Sequence, residues 1–168
     1  MQATVIGIDP GSWKTGWGVV SVSRGNVTAI EWGVIRQSPS ASLADRLVSI
    51  HAEISRLLAT FKVDSAALEG IFQSGPAKNV QSALKLAHAR GVALLAVAQA
   101  GLPAEEYAPA EVKKALTGSG RADKDQVMLM VRSLLKLTSA PPEDAADALA
   151  IATCHAFRIS NPFAGALR

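Results

Sequence analysis

At 168 residues, with 49% hydrophobic and 18% charged side chains, the chain has the composition of a compact folded domain rather than a disordered or fibrous one. Charges break every apolar stretch before membrane-spanning length, the N-terminus lacks a secretory signal pattern, and the single Cys154 rules out an intramolecular disulfide, so a cytoplasmic protein without membrane association is expected. The formal net charge is only +3, but residues 112–136 carry six Lys and Arg against two Asp, a local excess that suits an anionic partner.

Residues 4–9 form a buried apolar run and read as a first strand. Residues 17–23 and 27–36 alternate apolar and polar, separated by the turn sequence Arg24-Gly25-Asn26, and read as two more. Leu43, Leu47, Ile50, Ile54, Leu57 and Phe61 recur at helical spacing, which predicts an amphipathic helix over residues 42–61. Residues 64–70 give a short fourth strand ending near Glu69. A loop containing Gly75-Pro76 leads to an alanine-rich helix over 79–100, and residues 102–108 make a fifth strand. Three helices follow, over 109–116, 123–137 and 143–159, with Asp123 as the N-cap of the middle one. Three leading strands followed by strand–helix alternation predict an α/β, ribonuclease H-like fold. It has a mixed five-stranded sheet, the first three strands antiparallel, with helices on both faces. No internal repeat or linker divides the chain, so a single domain over 1–160 with a C-terminal tail at 161–168 is expected.

Most of the fourteen Asp and Glu residues fall where solvated charges belong. Asp9, Glu69, Asp144 and Asp147 do not. Asp9 closes an apolar strand, Glu69 follows the run Ala66-Ala67-Leu68, and Asp144 and Asp147 share one helical face at i, i+3. Each has a structural reading as well. Asp9-Pro10-Gly11 is a good turn, Glu69 can be a strand end, and Asp144 with Glu143 complements a helix N-terminus. Taken together they change meaning, because a ribonuclease H-like sheet sets strands one and four side by side. Ala145, Ala146 and Ala148 would let the last helix approach closely. Four carboxylates gathered at one point repel unless cations share the site. Oxygen-only ligands suit Mg²⁺ or Mn²⁺. Two such ions, about 3.5–4 Å apart, serve phosphodiester hydrolysis. His155 lies eleven residues beyond Asp144, ~16 Å along a helix axis at 1.5 Å per residue, and is expected to pack rather than ligate. His51 and His88 are assigned structural roles, and Cys154 that of a small buried hydrophobe.

The blocks GIDPGSWKTGWGVV, ALEGIF, AKNVQSALKLAHARGVAL, EYAPAEVKKALTGSGRADKDQV and DAADALAIA occur in this order. Together, over about residues 4–155, they closely resemble the RuvC family of bacterial Holliday-junction resolvases. The resemblance implies a homodimeric endonuclease of recombination and DNA repair. Such an enzyme nicks two strands of like polarity across a four-way DNA junction, leaves 5′-phosphate ends, and works with a branch-migration complex of the RuvA and RuvB type. Asp9, Glu69, Asp144 and Asp147 fall on the family's acidic positions. In some members a histidine takes part at the last position, which would make His155 the alternative to Asp147. The resemblance also assigns Phe72 as an aromatic that stacks or wedges at the junction, and Lys113 and Lys124 as phosphate contacts. Ser74-Gly75-Pro76 lengthens the loop after Phe72, and Gly70 stands where a bulkier residue is common. The helix over 79–100 is apolar around much of its circumference, which predicts a C₂ homodimer through it. Against these expectations stand a ribonuclease H-like enzyme acting on RNA, a non-catalytic junction-binding protein, and a kinase-type fold. The last would need a second phosphate-binding loop, which the sequence lacks.

Overall fold

The computed structural model describes residues 2–70 and 80–161. Phe72, the Ser74-Gly75-Pro76 insertion and, apart from Asn161, the expected tail lie outside the described residues. The elements follow the expected order: β1 (Gln2–Asp9), β2 (Lys14–Ser23), β3 (Asn26–Arg36), α1 (Leu43–Phe61), β4 (Ser65–Glu69), α2 (Val80–Gln99), β5 (Ala104–Tyr107), α3 (Pro109–Thr117), α4 (Lys124–Leu134) and α5 (Glu143–Ser160). The strands form one sheet in the order β3-β2-β1-β4-β5. β1 pairs antiparallel with β2, β2 antiparallel with β3, and β4 runs parallel to both β1 and β5. None of the described helices is long and apolar enough to cross a membrane.

Local chemistry explains the boundaries. Arg24 and Gly25 both take positive φ, 50° and 81°, the turn that matches the twist of a two-residue hairpin between β2 and β3. Ser42 caps α1 by accepting from the Asp45 backbone N–H at 3.1 Å, and Asp45 reaches back to the Ser42 N–H at 3.3 Å. Asp123 caps α4 in the same way, accepting from Gln126 N–H at 2.8 Å. Two boundaries depart from expectation by three residues: β2 begins at Lys14 rather than at 17, and α4 ends at Leu134 rather than at 137. Lys136 turns left-handed at φ 52°, and the Leu137 N–H donates back to the Arg132 carbonyl at 2.9 Å. Leu135 and Leu137 still pack on the core, so their apolar spacing extends past the last helical turn.

Two apolar cores lie on opposite faces of the sheet. Ile6, Ile8, Ala66 and Leu68 point toward α1 and α2, where Ile50, Ile54, Leu57, Ala93 and Val97 meet them. Val5, Val20, Val22, Ala67 and Tyr107 point the other way, toward α3, α4 and α5. On that second face β1 and β2 carry no side chain where α5 crosses them. A Cβ on Gly7 would lie 2.0 Å from the Ala148 carbonyl oxygen. On Gly16 it would lie 1.9 Å from the Asp144 carbonyl oxygen, and on Gly18 2.7 Å from the Leu149 side chain. Backbone of α5 therefore rests almost directly on backbone of the sheet, and α5 is buried around most of its circumference from Ala145 to Ala156.

Gly7→Ala tests this packing. The added methyl meets backbone rather than a mobile side chain, so α5 must lift, at a loss of about 1–3 kcal/mol or more. Thermal unfolding should report a clear fall in Tm; an unchanged Tm would show that α5 has room to spare over β1.

Candidate active site

The carboxylates converge because strand period and register leave them little choice. Along β1, Val5 and Gly7 face α5 while Ile6 and Ile8 face α1, so Asp9 faces α5. Along β4, Ala67 faces α5 and Leu68 faces away, which directs Glu69 to the same side as Asp9. Ile8 pairs with Leu68, so Asp9 and Glu69 are the next residues of two adjacent parallel strands. Asp9 is also the β2 partner of Gly16, the glycine on which Asp144 of α5 rests. The first turn of α5 is thereby brought down onto the end of β1, with Asp147 one turn further on. Glu69 pairs with Tyr107 of β5, and the Gly70 N–H donates to the Tyr107 carbonyl at 2.8 Å, which fixes the end of β4.

The electrostatics record the convergence. Burial, then the charges of Glu69, Asp147 and Asp144, push the Asp9 carboxyl up to about 7. Glu69 is raised by burial and by Asp147, and Asp147 by burial and by Glu143 and Asp144. Lys124 works against all three shifts. Its ammonium is hydrogen-bonded to Glu143, an exposed pair that contributes little by itself, and stands 3.9 Å from Asp147 Oδ2. Lys113 also lowers the Glu69 pKa. Beside the carboxylates opens a cleft of about 270 Å³ whose walls include Glu69, Lys113, Lys124 and Asp147. Asp9 and Asp144 are not among its lining residues.

The structure thus brings Asp9, Glu69, Asp144, Asp147, Lys113 and Lys124 to one end of the sheet. Phe72 lies outside the described residues. His155 does not join them. It is 4% exposed, and its Nδ1 lies 2.7 Å from the Tyr107 hydroxyl and its Nε2 3.0 Å from Ser65 Oγ. Both ring nitrogens are therefore engaged inside the fold, and burial holds the His155 pKa below its ordinary value. His51 pairs with Gln99 at 2.7 Å, and Cys154 is a buried free thiol. Sequence reasoning did not foresee Glu143 as the partner of Lys124, nor Gly16 as the seat of Asp144. The i, i+2 spacing of Gly16 and Gly18 in an alternating strand was the available signal.

Whether these residues suit a metal is a matter of donor chemistry. Among the described residues, no three His, Cys, Asp or Glu side chains already form a metal-holding group. The donors are nevertheless all carboxylate oxygens, the set that hard divalent cations prefer. Four carboxylates converge here against two lysines, Lys113 and Lys124, so their formal charge is negative, and burial, the largest cause of the raised Asp9, Glu69 and Asp147 pKa values, leaves that charge poorly solvated. That charge fits a cation.

Comparison with known proteins adds the following. Residues 5–155 match the family described as Crossover junction endodeoxyribonuclease RuvC. The protein of that name from Halorhodospira halophila is 50% identical over 162 residues, covering 96% of this chain and 95% of its own. The structure is similar to Thermus thermophilus RuvC solved in complex with Holliday junction substrate, with a TM-score of 0.88 and 38% identity over 95% of this chain and 96% of that one. It also shares its fold with the yeast mitochondrial Holliday junction resolvase Ydc2, at a TM-score of 0.63 and 15% identity over 95% of this chain and 83% of that one.

Asp9 gives a stability test. An unperturbed aspartate carboxyl titrates at 3.8 and that of Asp9 at about 7 in the fold, so the folded state binds the proton more tightly than the unfolded chain. The ionised form therefore destabilises the fold increasingly from about pH 4 to about pH 7, and fully above that. With divalent cations chelated, Asp9→Asn should raise Tm at pH 8, by on the order of 1–3 kcal/mol of stability, and leave it unchanged near pH 4. Equal melting of both proteins at pH 8 would contradict the buried, crowded environment assigned to Asp9.

Proposed function

The chain belongs to the crossover junction endodeoxyribonuclease RuvC family of metal-dependent nucleases, and we propose that it resolves four-way DNA junctions by paired, symmetric nicks that leave 5′-phosphate ends. The observation that carries this reading is the convergence of Asp9, Glu69, Asp144 and Asp147 at the ends of β1, β4 and α5, beside a cleft walled by Lys113 and Lys124. Fixed lysines attract the DNA phosphates, and cations held by the carboxylates would add to that attraction.

In this mechanism Asp9, Glu69, Asp144 and Asp147 hold the metal. Divalent ions, two Mg²⁺ or Mn²⁺ per site, would supply the charge that activates a water and steadies the leaving 3′ oxygen. The chain itself supplies position. Asp9 and Glu69 are anchored at the ends of paired central strands, and Asp144 and Asp147 by the seating of α5 on Gly16 and Gly7. Lys124, tethered by Glu143, keeps a cation at the cleft in reach of a phosphate, and Lys113 places a second in the same cleft. Phe72 is the residue proposed to enter the junction.

A two-fold junction calls for two sites at matched spacing, which an isologous dimer provides. The outer face of α2 supports such an assembly. Val80, Leu84 and Leu95 are 62%, 55% and 50% exposed, and Gly91 between them has nothing within 4 Å of where its Cβ would lie. An exposed mid-helix glycine weakens an isolated helix, and a closely approaching second helix gives it a purpose. The same framework assigns a RuvA and RuvB-type branch-migration complex as the functional partner.

Two outcomes check this reading. On a synthetic four-way junction with Mg²⁺ or Mn²⁺, the wild type should make paired nicks, while Asp9→Asn binds the junction and cuts at least a hundredfold more slowly. Equal cutting of plain duplex would remove the resolvase reading, and normal cutting by Asp9→Asn would remove Asp9 from the site. Separately, Leu95→Glu should convert a dimer to a monomer in light scattering; a wild type that is already monomeric at micromolar concentration would refute the α2 interface.

A further inference from the structure

The connection between β1 and β2 begins one residue after Asp9, and it ends on Trp13, directly before Lys14 of β2. Trp13 is 47% exposed, an unusual state for the largest apolar side chain in a chain with only three tryptophans. It is not loose. The Arg46 guanidinium of α1 lies over its ring at 4.0 Å from the centroid. The Trp13 carbonyl accepts from Gln37 N–H at 3.0 Å, and Arg46 Nη1 donates to the Ser12 carbonyl at 3.4 Å. Thr15 Oγ1 donates to the Gly11 carbonyl at 2.9 Å and closes the base of the turn. An indole held this firmly loses little further freedom on meeting a ligand.

Arg46 serves the turn through the Ser12 carbonyl and the indole face, but the charges around Trp13 are not neutralised by ion pairs with carboxylates among the described residues. Arg46 is 6% exposed, yet among the described residues it forms no ion pair with a carboxylate. Lys14, the residue after Trp13, is the cross-strand partner of Arg36 at the open end of β2 and β3. Like charges placed directly opposite each other on a sheet destabilise it. Neither forms an ion pair among the described residues; Lys14 reaches Glu143 only as a weak, longer-range attraction. Three cations flank one immobilised, half-exposed aromatic at the same end of the sheet as Asp9. A purely structural Trp13–Arg46 contact would explain the anchoring of the turn to α1. It would explain neither the exposure of the indole nor the Lys14–Arg36 juxtaposition.

We propose that Trp13 is a DNA-contacting residue: its solvent-exposed ring surface stacks on an unpaired base of the junction strand that leaves the carboxylate cluster, and Lys14 and Arg36 take that strand's phosphates. The inference rests on the junction-nuclease reading and adds to it a second contact on the opposite side of Asp9 from Lys113 and Lys124. Base–aromatic stacking tolerates any base, so the contact holds the strand without reading its sequence.

The test is equilibrium binding of a synthetic four-way junction to the full chain with divalent cations chelated, so that cleavage does not intervene. Trp13→Ala should weaken binding about tenfold, within the range of one base–aromatic contact, while Trp13→Phe stays within about threefold of wild type. Neither should alter the slope of log Kd against log salt concentration, whereas Lys14→Ala and Arg36→Ala should each flatten it by about one. Junction binding should also quench wild-type tryptophan fluorescence, and that quench should vanish in Trp13→Phe. The fluorescence readout does not depend on Trp13→Ala folding. Wild-type affinity in Trp13→Ala, or a quench that persists in Trp13→Phe, overturns the proposal while leaving the nuclease reading intact. A wild type that cannot bind the junction at all overturns both.

Discussion

Everything in this molecule that concerns the carboxylates depends on one contact, the seating of α5 on the side-chain-free backbone of β1 and β2. Gly7, Gly16 and Gly18 remove the three Cβ atoms that would otherwise hold a helix at ordinary distance from a sheet. With them gone, the Asp144 and Ala148 carbonyls come to rest over Gly16 and Gly7, and small residues on α5 complete the fit. The same contact sets the height and rotation of α5, and hence where Asp144 and Asp147 stand relative to Asp9. A close-packed interior resists small displacements, so carboxylates held this way need no further support from their own hydrogen bonds.

The cluster is electrostatically uncomfortable, and the fold tolerates it by distributing the discomfort. Asp9 is the most buried of the shifted acids and rises furthest; Glu69 and Asp147 rise less. The opposing charge comes from a separate layer. α3 and α4 bring Lys113 and Lys124 to the cleft wall, and Glu143 at the start of α5 ties Lys124 in place. Carboxylates at strand and helix ends are thus faced by lysines from α3 and α4, so opposite charges gather at one end of the sheet from separate elements.

Helical periodicity fixes the azimuth of a residue and says less about what surrounds it. Eleven residues return His155 to about the azimuth of Asp144, but its distance along the helix predicted that it would pack, and only the family resemblance made it an alternative to Asp147. In the structure the length of α5 carries it to the far part of the sheet, where the Tyr107 hydroxyl and Ser65 occupy both ring nitrogens. It supports the packing of β4, β5 and α5 and stands apart from the carboxylate cluster. α4 makes a similar point: its apolar period runs on to Leu137, but a left-handed Lys136 ends the helix earlier.

By itself the sequence determined the order of elements and the mixed sheet, and it singled out four acidic positions as candidates, because period-two and period-3.6 patterning and turn chemistry are local properties. It also carried the family's signature blocks, since those are contiguous. Only the tertiary structure decided which face of β1 and β4 carries Asp9 and Glu69 in company, that Gly16 is the seat of Asp144, and that Glu143 is the partner of Lys124. It alone placed Trp13 on Arg46, a residue 33 positions away. These facts depend on distances between segments remote along the chain, and register and packing set those distances where no single stretch of residues can.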